Sequence, residues 1–365
     1  MNDKHPVVMI FFLGLVTASA GLFIPTIWHV LPTRHKLLIP LIVPLPYLFT
    51  YLCAKRNNEL TINELNHAAQ MRHYPYDRVL FFPGLCCSTC RVLKPARSKH
   101  CSICKTCVSR MDHHCVWVNN CLGRGNYKYF LALLFFTSVL IAYGAYLAYI
   151  ALTPMVALNY KKYEGWYRYK PGPGADPTSW GMYLDMKLHY FLTYLSIYIE
   201  EGGVSAAGVG LLALLTWPLP LGLLIYQLYL VYAGMTTNES AKWADWRDDM
   251  ADGVVFLGKR REETMRDYSP KVSRLSASNR SSSSGTPILT PLETPPEDEE
   301  PPTTWPLESR HILLRTTNGQ PPASLPPRIR SVADKESFER VWDLAAVENV
   351  YDLGFWENLI DILKN

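Results

Sequence analysis

Charge is missing from four long stretches of this 365-residue chain: 6–28, 37–53, 129–153 and 202–235 contain no Asp, Glu, Lys or Arg. Runs that long and that apolar exclude an ordinary water-exposed segment and read as membrane-span candidates. A cleaved signal peptide is the alternative for the first run, although its n-region is short and its apolar run exceeds a typical h-region. The second run holds Pro40, Pro44 and Pro46, which predicts a kinked helix. At about 1.5 Å per residue it only just crosses the hydrocarbon, so a re-entrant hairpin is its alternative. The fourth run is expected to bend near Pro218 and Pro220.

Other absences narrow the function further. The net charge is only +4, which gives no electrostatic footprint for nucleic acid. Cysteine is nearly absent outside one segment: of nine, only Cys53 and Cys86 lie outside 87–121. A disulfide framework would spread its cysteines, whereas CxxC clustering with histidine suits a reducing compartment. Residues 259–335 contain SASNRSSSSGTP and ETPPEDEEPP. Such a composition cannot bury enough apolar surface to fold alone and predicts a disordered linker. Thr286, Thr290 and Thr294 each precede proline there and are either phosphorylation positions or plain linker.

What is present in strength is a single stretch, 87–130: CSTCRVLKPARSKHCSICKTCVSRMDHHCVWVNNCLGRGNYKYF. It carries Cys87, Cys90, Cys101, Cys104, Cys107, Cys115 and Cys121, with His100, His113 and His114. CxxC pairs at this spacing grip zinc tetrahedrally. Ten candidate donors face two closed sites that need eight. Two groups are left over, and the adjacent imidazoles of His113 and His114 point in different directions, so the simplest division gives only one of them to a metal. One of these imidazoles is then free beside Cys115 and Asp112. A spare thiol, a spare imidazole and a carboxylate have the parts of an activated nucleophile. The plainer reading is a structural zinc module with one redundant cysteine. Of the outlying thiols, Cys86 reads as spare rather than as a second acylation position, and Cys53 as a packing residue.

Basic residues set the expected orientation. The 54–128 loop holds twelve Lys or Arg and the 154–201 loop holds five, so the positive-inside rule puts the cysteine loop and both termini in the cytosol. Within the second loop, 183–199 is aromatic and apolar but broken by Asp185 and Lys187, which predicts an interfacial amphipathic helix. The sequons at Asn238 and Asn279 fall on the cytosolic side and should carry no glycan.

The 87–130 stretch resembles the cysteine-rich domain of the DHHC protein S-acyltransferases, the palmitoyltransferases. CSTC, KPARSKHC, CSICKTC, DHHC, NNC and GNYKYF all stand in order. Thr236-Thr237-Asn238-Glu239 resembles the family's TTxE motif, and 349–358 (NVYDLGFWEN) its aromatic C-terminal motif. The likeness extends over nearly the whole chain apart from 259–335 and is strongest to fungal endoplasmic-reticulum members that acylate SNAREs.

The resemblance implies specific roles. Cys87, Cys90, His100 and Cys107 would hold one zinc, and Cys101, Cys104, His114 and Cys121 the other. His113 and Cys115 would remain free, with Cys115 attacking the thioester of palmitoyl-CoA, His113 taking its proton and Asp112 holding the ring. Thr237 would support Asp112, and Asn358 would brace the C-terminal segment. Lys94, Arg97 and Lys99 are the candidates for the phosphates of CoA, the alternative being general positive-inside charge.

The resulting expectation is an all-α polytopic membrane protein. Transmembrane helices 1 and 2 occupy 6–53 and the cytosolic zinc domain 54–128. Helix 3 occupies 129–153, a lumenal loop 154–201 and helix 4 202–235. A juxtamembrane segment (236–258), the linker (259–335) and an aromatic C-terminal motif (336–365) complete it. The expected function is acyl transfer from palmitoyl-CoA to cysteines of membrane proteins such as SNAREs, in the endoplasmic reticulum or alternatively the Golgi, with no role for nucleic acid. A catalytically silent, membrane-anchored zinc adaptor is the competing reading.

Overall fold

The computed structural model describes residues 4–55, 57–174, 176, 178–265 and 300–364. Asn279, Thr286, Thr290 and Thr294 lie outside the described residues.

Four helical stretches are long and apolar enough to cross a membrane: Val7–Ile27, Thr33–Ala54, Tyr127–Lys162 and Trp180–Tyr232. The first is helix α1 (Val7–Ile27). The second divides into α2 (Thr33–Ile42) and α3 (Leu45–Ala54). Pro44 caps α3 and Pro46 sits in its first turn, where the missing N–H costs least. After a short helix α4 (His67–Gln70) and the cysteine-rich segment comes α5 (Tyr127–Lys162). Its 36 residues span about 54 Å, well beyond the roughly 30 Å of hydrocarbon. The short α6 (Glu164–Tyr167) and then α7 (Trp180–Gly203) follow. A π-helical turn, Val204–Gly208, links α7 to α8 (Val209–Thr216) and α9 (Pro218–Tyr232).

Helix α5 is the hub, packing against α3, α7, α8 and α9. Phe49 of α3 stacks on Phe136 of α5 at 5.2 Å. Ala148 of α5 lies so close to Gly210 of α8 that any side chain at 210 would collide with it. The 183–199 segment is therefore not a separate surface element. It belongs to α7, which is joined to the fourth apolar run and packs on the end of α5. Tyr160 stacks on Tyr194 at 5.0 Å, and Asn159 donates to Glu201 at 2.6 Å.

Outside the apolar helices the chain is not all-α. The zinc-type segment contains β1 (Thr61–Ile62), β2 (Lys99–Cys101), β3 (Thr106–Val108), β4 (His113–Cys115) and β5 (Asn120–Leu122). They form an antiparallel sheet of order β1-β3-β2 and a separate β4–β5 ladder. The turn at Cys101–Cys104 reverses the chain so that β2 and β3 pair, and residues 116–119 do the same for β4 and β5. Apolar periodicity alone does not reveal strands three residues long.

After α9 comes α10 (Thr237–Ala251), opened by a capping box between Thr236 and Glu239. A third sheet follows, with β6 (Val255–Lys259) between β7 (His311–Arg315) and β8 (Glu339–Arg340). This corrects the linker expectation for the described residues 300–335. Five residues of β7 pair with β6, and Ile312 and Leu313 are buried. Leu325 and Ile329, the latter in α11 (Pro327–Arg330), cover Phe256. The apolar residues here are spaced between prolines, so composition averages them away, yet they bury against a strand supplied from elsewhere. The chain ends in α12 (Phe355–Lys364), which lies against α9 and α5.

Candidate active site and metal centres

Strand periodicity builds the centre. In β4, residues 113 and 115 face one way and 114 the other. His114 faces Cys101, Cys104 and Cys121, its Nδ1 lying 3.8, 3.4 and 3.6 Å from their sulfurs. The Nδ1 of His100 lies 3.6, 3.3 and 3.9 Å from Cys87, Cys90 and Cys107. In each group all four donor atoms fall within 4.8 Å of one another. A tetrahedral zinc with metal–sulfur bonds of about 2.3 Å and metal–nitrogen of about 2.0 Å has sulfur–nitrogen edges of about 3.6 Å. Both groups fit that geometry, so two Cys3His clusters could hold zinc. The first joins the CSTC turn to the β2–β3 hairpin, and the second joins that hairpin to β4–β5.

On the other face of β4, His113 and Cys115 stand together. Nδ1 of His113 lies 2.5 Å from Oδ2 of Asp112. Asp112 is 1% exposed. Its Oδ1 accepts from the Thr237 N–H at 2.7 Å and its Oδ2 from the Thr237 hydroxyl at 3.0 Å. Burial alone would push the His113 ring down, but the hydrogen bonds with Asp112 and Cys115 outweigh it and hold the ring at about 9. Gln227, a lone amide in the fourth apolar run, accepts from Tyr127 at 2.7 Å and lies 3.5 Å from the Thr237 hydroxyl. Sequence reasoning missed it, although a lone amide within the uncharged run 202–235 is itself a signal.

Cys115 opens onto an apolar cavity of about 670 Å³ running between α1, α5 and α8. Trp117 and Phe130 flank the thiol end, and Ile39, Tyr143 and Leu147 line the far end. Behind the thiol, Asn120 and Asn126 both donate to the carbonyl of Cys53, at 3.0 and 3.2 Å. Cys53 is fully buried in the same apolar cluster as Cys115, and Cys86 is exposed.

Three other residues singled out in the sequence have these surroundings. Asn358 is buried; it donates to the Val231 carbonyl at 3.0 Å and accepts from Leu353 at 3.0 Å, tying the C-terminal segment to the end of α9. Lys94 is half-buried and Lys99 exposed.

Arg97 is a correction. It is 1% exposed and grips Glu239 through two bonds of 2.8 and 2.6 Å. It also donates to the Gly234 carbonyl and lies over the rings of Tyr351 and Tyr74. A guanidinium sealed and neutralised in this way does not bind a phosphate. Its work is to fasten the zinc-type segment to the capping box of α10.

Comparisons with known proteins bear on this arrangement. A model of the DHHC palmitoyltransferase family matches residues 81–244. The chain is 38% identical over 362 residues to the palmitoyltransferase SWF1 of Neurospora crassa, covering 99% of this chain and 75% of that protein. It is 38% identical over 315 residues to the palmitoyltransferase swf1 of Aspergillus fumigatus, covering 86% and 71%. Against the Emericella nidulans palmitoyltransferase swf1 the identity is again 38%, over 261 residues that span 70% of this chain and 58% of the relative.

Proposed function

The chain belongs to the DHHC palmitoyltransferase family, and from that premise we propose that it moves the palmitoyl group of palmitoyl-CoA to cysteine thiols of membrane proteins through an acyl-enzyme at Cys115. The observation that carries this reading is the Asp112–His113–Cys115 array opening directly onto an apolar cavity.

Before the first step the proton of the Cys115 thiol already rests on His113, in keeping with the raised pKa of that ring, and the sulfur then attacks the thioester carbonyl. Asp112, held by Thr237, stabilises the imidazolium and fixes the ring. The tetrahedral adduct collapses by expelling the CoA thiolate, which recovers the proton. In the second step a substrate thiol gives its proton to His113, takes the acyl group and frees Cys115. One thioester replaces another, so no further energy source is needed. The palmitoyl tail lies in the cavity, where each buried CH₂ contributes about 0.8 kcal/mol. Four protein donors leave a bound zinc no open position, so the two clusters brace the strands that carry the nucleophile and take no part in transfer.

The same reading places the cysteine-rich domain in the cytosol, between the second and third of four spans, with both termini on that side. The endoplasmic reticulum is the proposed membrane and SNAREs, with cysteines near their spans, the proposed substrates.

The test is labelling of the purified, detergent-solubilised protein with palmitoyl-CoA, beside Cys115→Ser. Label on the wild type alone, released by neutral hydroxylamine, with zinc content equal in both, is the expected result. A wild type that holds two zincs and takes no label would favour the silent adaptor instead.

A further inference from the structure

A polar thread runs through the apolar joint of α5, α9 and α10, and it ends on the carboxylate beside the nucleophile. Tyr127 is the first residue of α5, Gln227 lies within α9, and Thr237 opens α10. Tyr127 and Gln227 are both buried. The Tyr127 hydroxyl donates to Oε1 of Gln227 at 2.7 Å. Nε2 of Gln227 is aimed at the Thr237 hydroxyl oxygen, 3.5 Å away. That hydroxyl donates to Oδ2 of Asp112 at 3.0 Å, and the same Oδ2 meets Nδ1 of His113.

Packing does not call for an amide at this place. A methionine would fill a similar volume with no polar atom to satisfy, and a buried polar atom left unpaired costs about 1–3 kcal/mol. What the amide decides is the direction of the hydrogens. A threonine hydroxyl has one hydrogen to give and can also accept. Were the Gln227 amide turned over, its carbonyl would face Thr237 and compete with Asp112 for that hydrogen. Tyr127 prevents the turn: its O–H holds Oε1 on its own side and leaves Nε2 facing Thr237. The Arg110 guanidinium over the Tyr127 ring, 5.6 Å from its centre, strengthens the phenol as a donor. With a donor on its oxygen, the Thr237 hydroxyl keeps its hydrogen for Asp112. Every hydrogen from Tyr127 to Thr237 then points toward the carboxylate, and such chains polarise one another in a dry interior.

We infer that Gln227, held by Tyr127, is a positioning residue for acyl transfer: it aims the Thr237 hydroxyl at Asp112 and so sets how firmly that carboxylate holds the His113 ring. This rests on the acyl-enzyme reading above. Neither side chain lines the apolar cavity, so their part is played through Thr237 and not through the acyl tail.

The experiment uses the full-length protein in detergent. Gln227→Met alone strands the Tyr127 hydroxyl, so the main variant pairs it with Tyr127→Phe, which removes both polar groups together. The pair is made in the wild type and in Thr237→Ala, and zinc content is measured in all four proteins. Two rates are read: single-turnover formation of the acyl-enzyme from palmitoyl-CoA, and alkylation of Cys115 by iodoacetamide, located by mass spectrometry. The second reads the same sulfur without an acyl donor. In the wild type the pair should lower both rates about fivefold, with the half-saturating palmitoyl-CoA concentration unchanged. In Thr237→Ala it should change neither, because the hydroxyl it acts through is gone. A purely structural role would lower the rates by the same factor in both backgrounds; that result, or no change in either, overturns the assignment. If the pair fails to hold two zincs, Tyr127→Phe alone decides: it frees the amide to turn and should lower both rates about threefold in the wild type and not in Thr237→Ala. A wild type that takes no label sinks the transferase reading, while a Thr237-dependent fivefold change in alkylation would still support the positioning role.

Discussion

At the residue scale, Asp112 is a buried carboxylate whose two oxygens are both occupied: Thr237 supplies two donors and His113 the third. Removing the Thr237 hydroxyl leaves the backbone donor in place. Thr237→Ala should therefore lower acyl-enzyme formation by about tenfold, with zinc content and KM little changed, as read by single-turnover labelling. Asp112→Asn should cost far more, about a thousandfold, because the amide no longer stabilises the imidazolium. Arg97 makes a different prediction. Taking it away strands Glu239, which is also 1% exposed, and breaking a buried pair costs about 3–5 kcal/mol. Arg97→Ala should lower the unfolding temperature sharply, whereas a phosphate ligand at the surface would leave it unchanged. The roles of Cys115, His113 and His114 were open in the residue count, because spacing cannot say which of two adjacent imidazoles meets the metal. The strand settles the geometry, since alternate residues must face apart.

At the element scale, short ladders and tight turns hold what propensity would not. No more than three residues of β2, β3, β4 or β5 are paired, which is too little to stand alone. Metal bound by the two Cys3His groups would supply most of their stability. Chelation should abolish labelling of Cys115 and expose the 87–121 region to protease while leaving the helical circular dichroism of the spans largely intact. His100→Ala should release one metal equivalent and retain the second more weakly, as measured by atomic absorption. The turn between α9 and α10 is as demanding. Gly234 has φ +63°, and a Cβ there would come within 2.5 Å of Asp352. Gly234→Ala should destabilise the junction by about 1–3 kcal/mol and reduce transfer by disturbing the adjacent Thr236–Glu239 box. The capping box was legible as T-x-x-E. The β6–β7 pairing was not, because its two strands are separated by more than fifty residues, and neither carries the alternation of a half-exposed strand.

At the scale of the whole molecule, the four apolar runs were readable because the bilayer imposes a length and a lack of charge that few other constraints mimic. The extension of α5 and α7 past those runs was less readable, because tyrosine and tryptophan suit both an interface and a packed helix pair. Orientation is open to direct test. An N-glycan acceptor introduced between residues 170 and 174 should be modified in microsomes, while Asn238, buried against the zinc-type segment, should remain unmodified. Glycosylation in the reverse pattern would invert the proposed topology. The exposed thiol of Cys86 gives a complementary measurement, since an impermeant maleimide should reach it from the cytosolic side without detergent.

The paired grip of Asn120 and Asn126 on the carbonyl of Cys53 has a bearing on what this enzyme can select. Cys53 is the penultimate residue of α3, so the β4–β5 hairpin that carries Cys115 is moored to the end of the second apolar stretch rather than hung from a slack tether. In the orientation proposed above, that mooring fixes the height of Cys115 above the lipid. On the transfer reading proposed above, a thiol on another protein is then chosen by the height at which its own anchor presents it. The surrounding letters of its sequence matter little. Lengthening or shortening the stretch between a target cysteine and its membrane segment should change acylation more than rewriting that stretch at constant length.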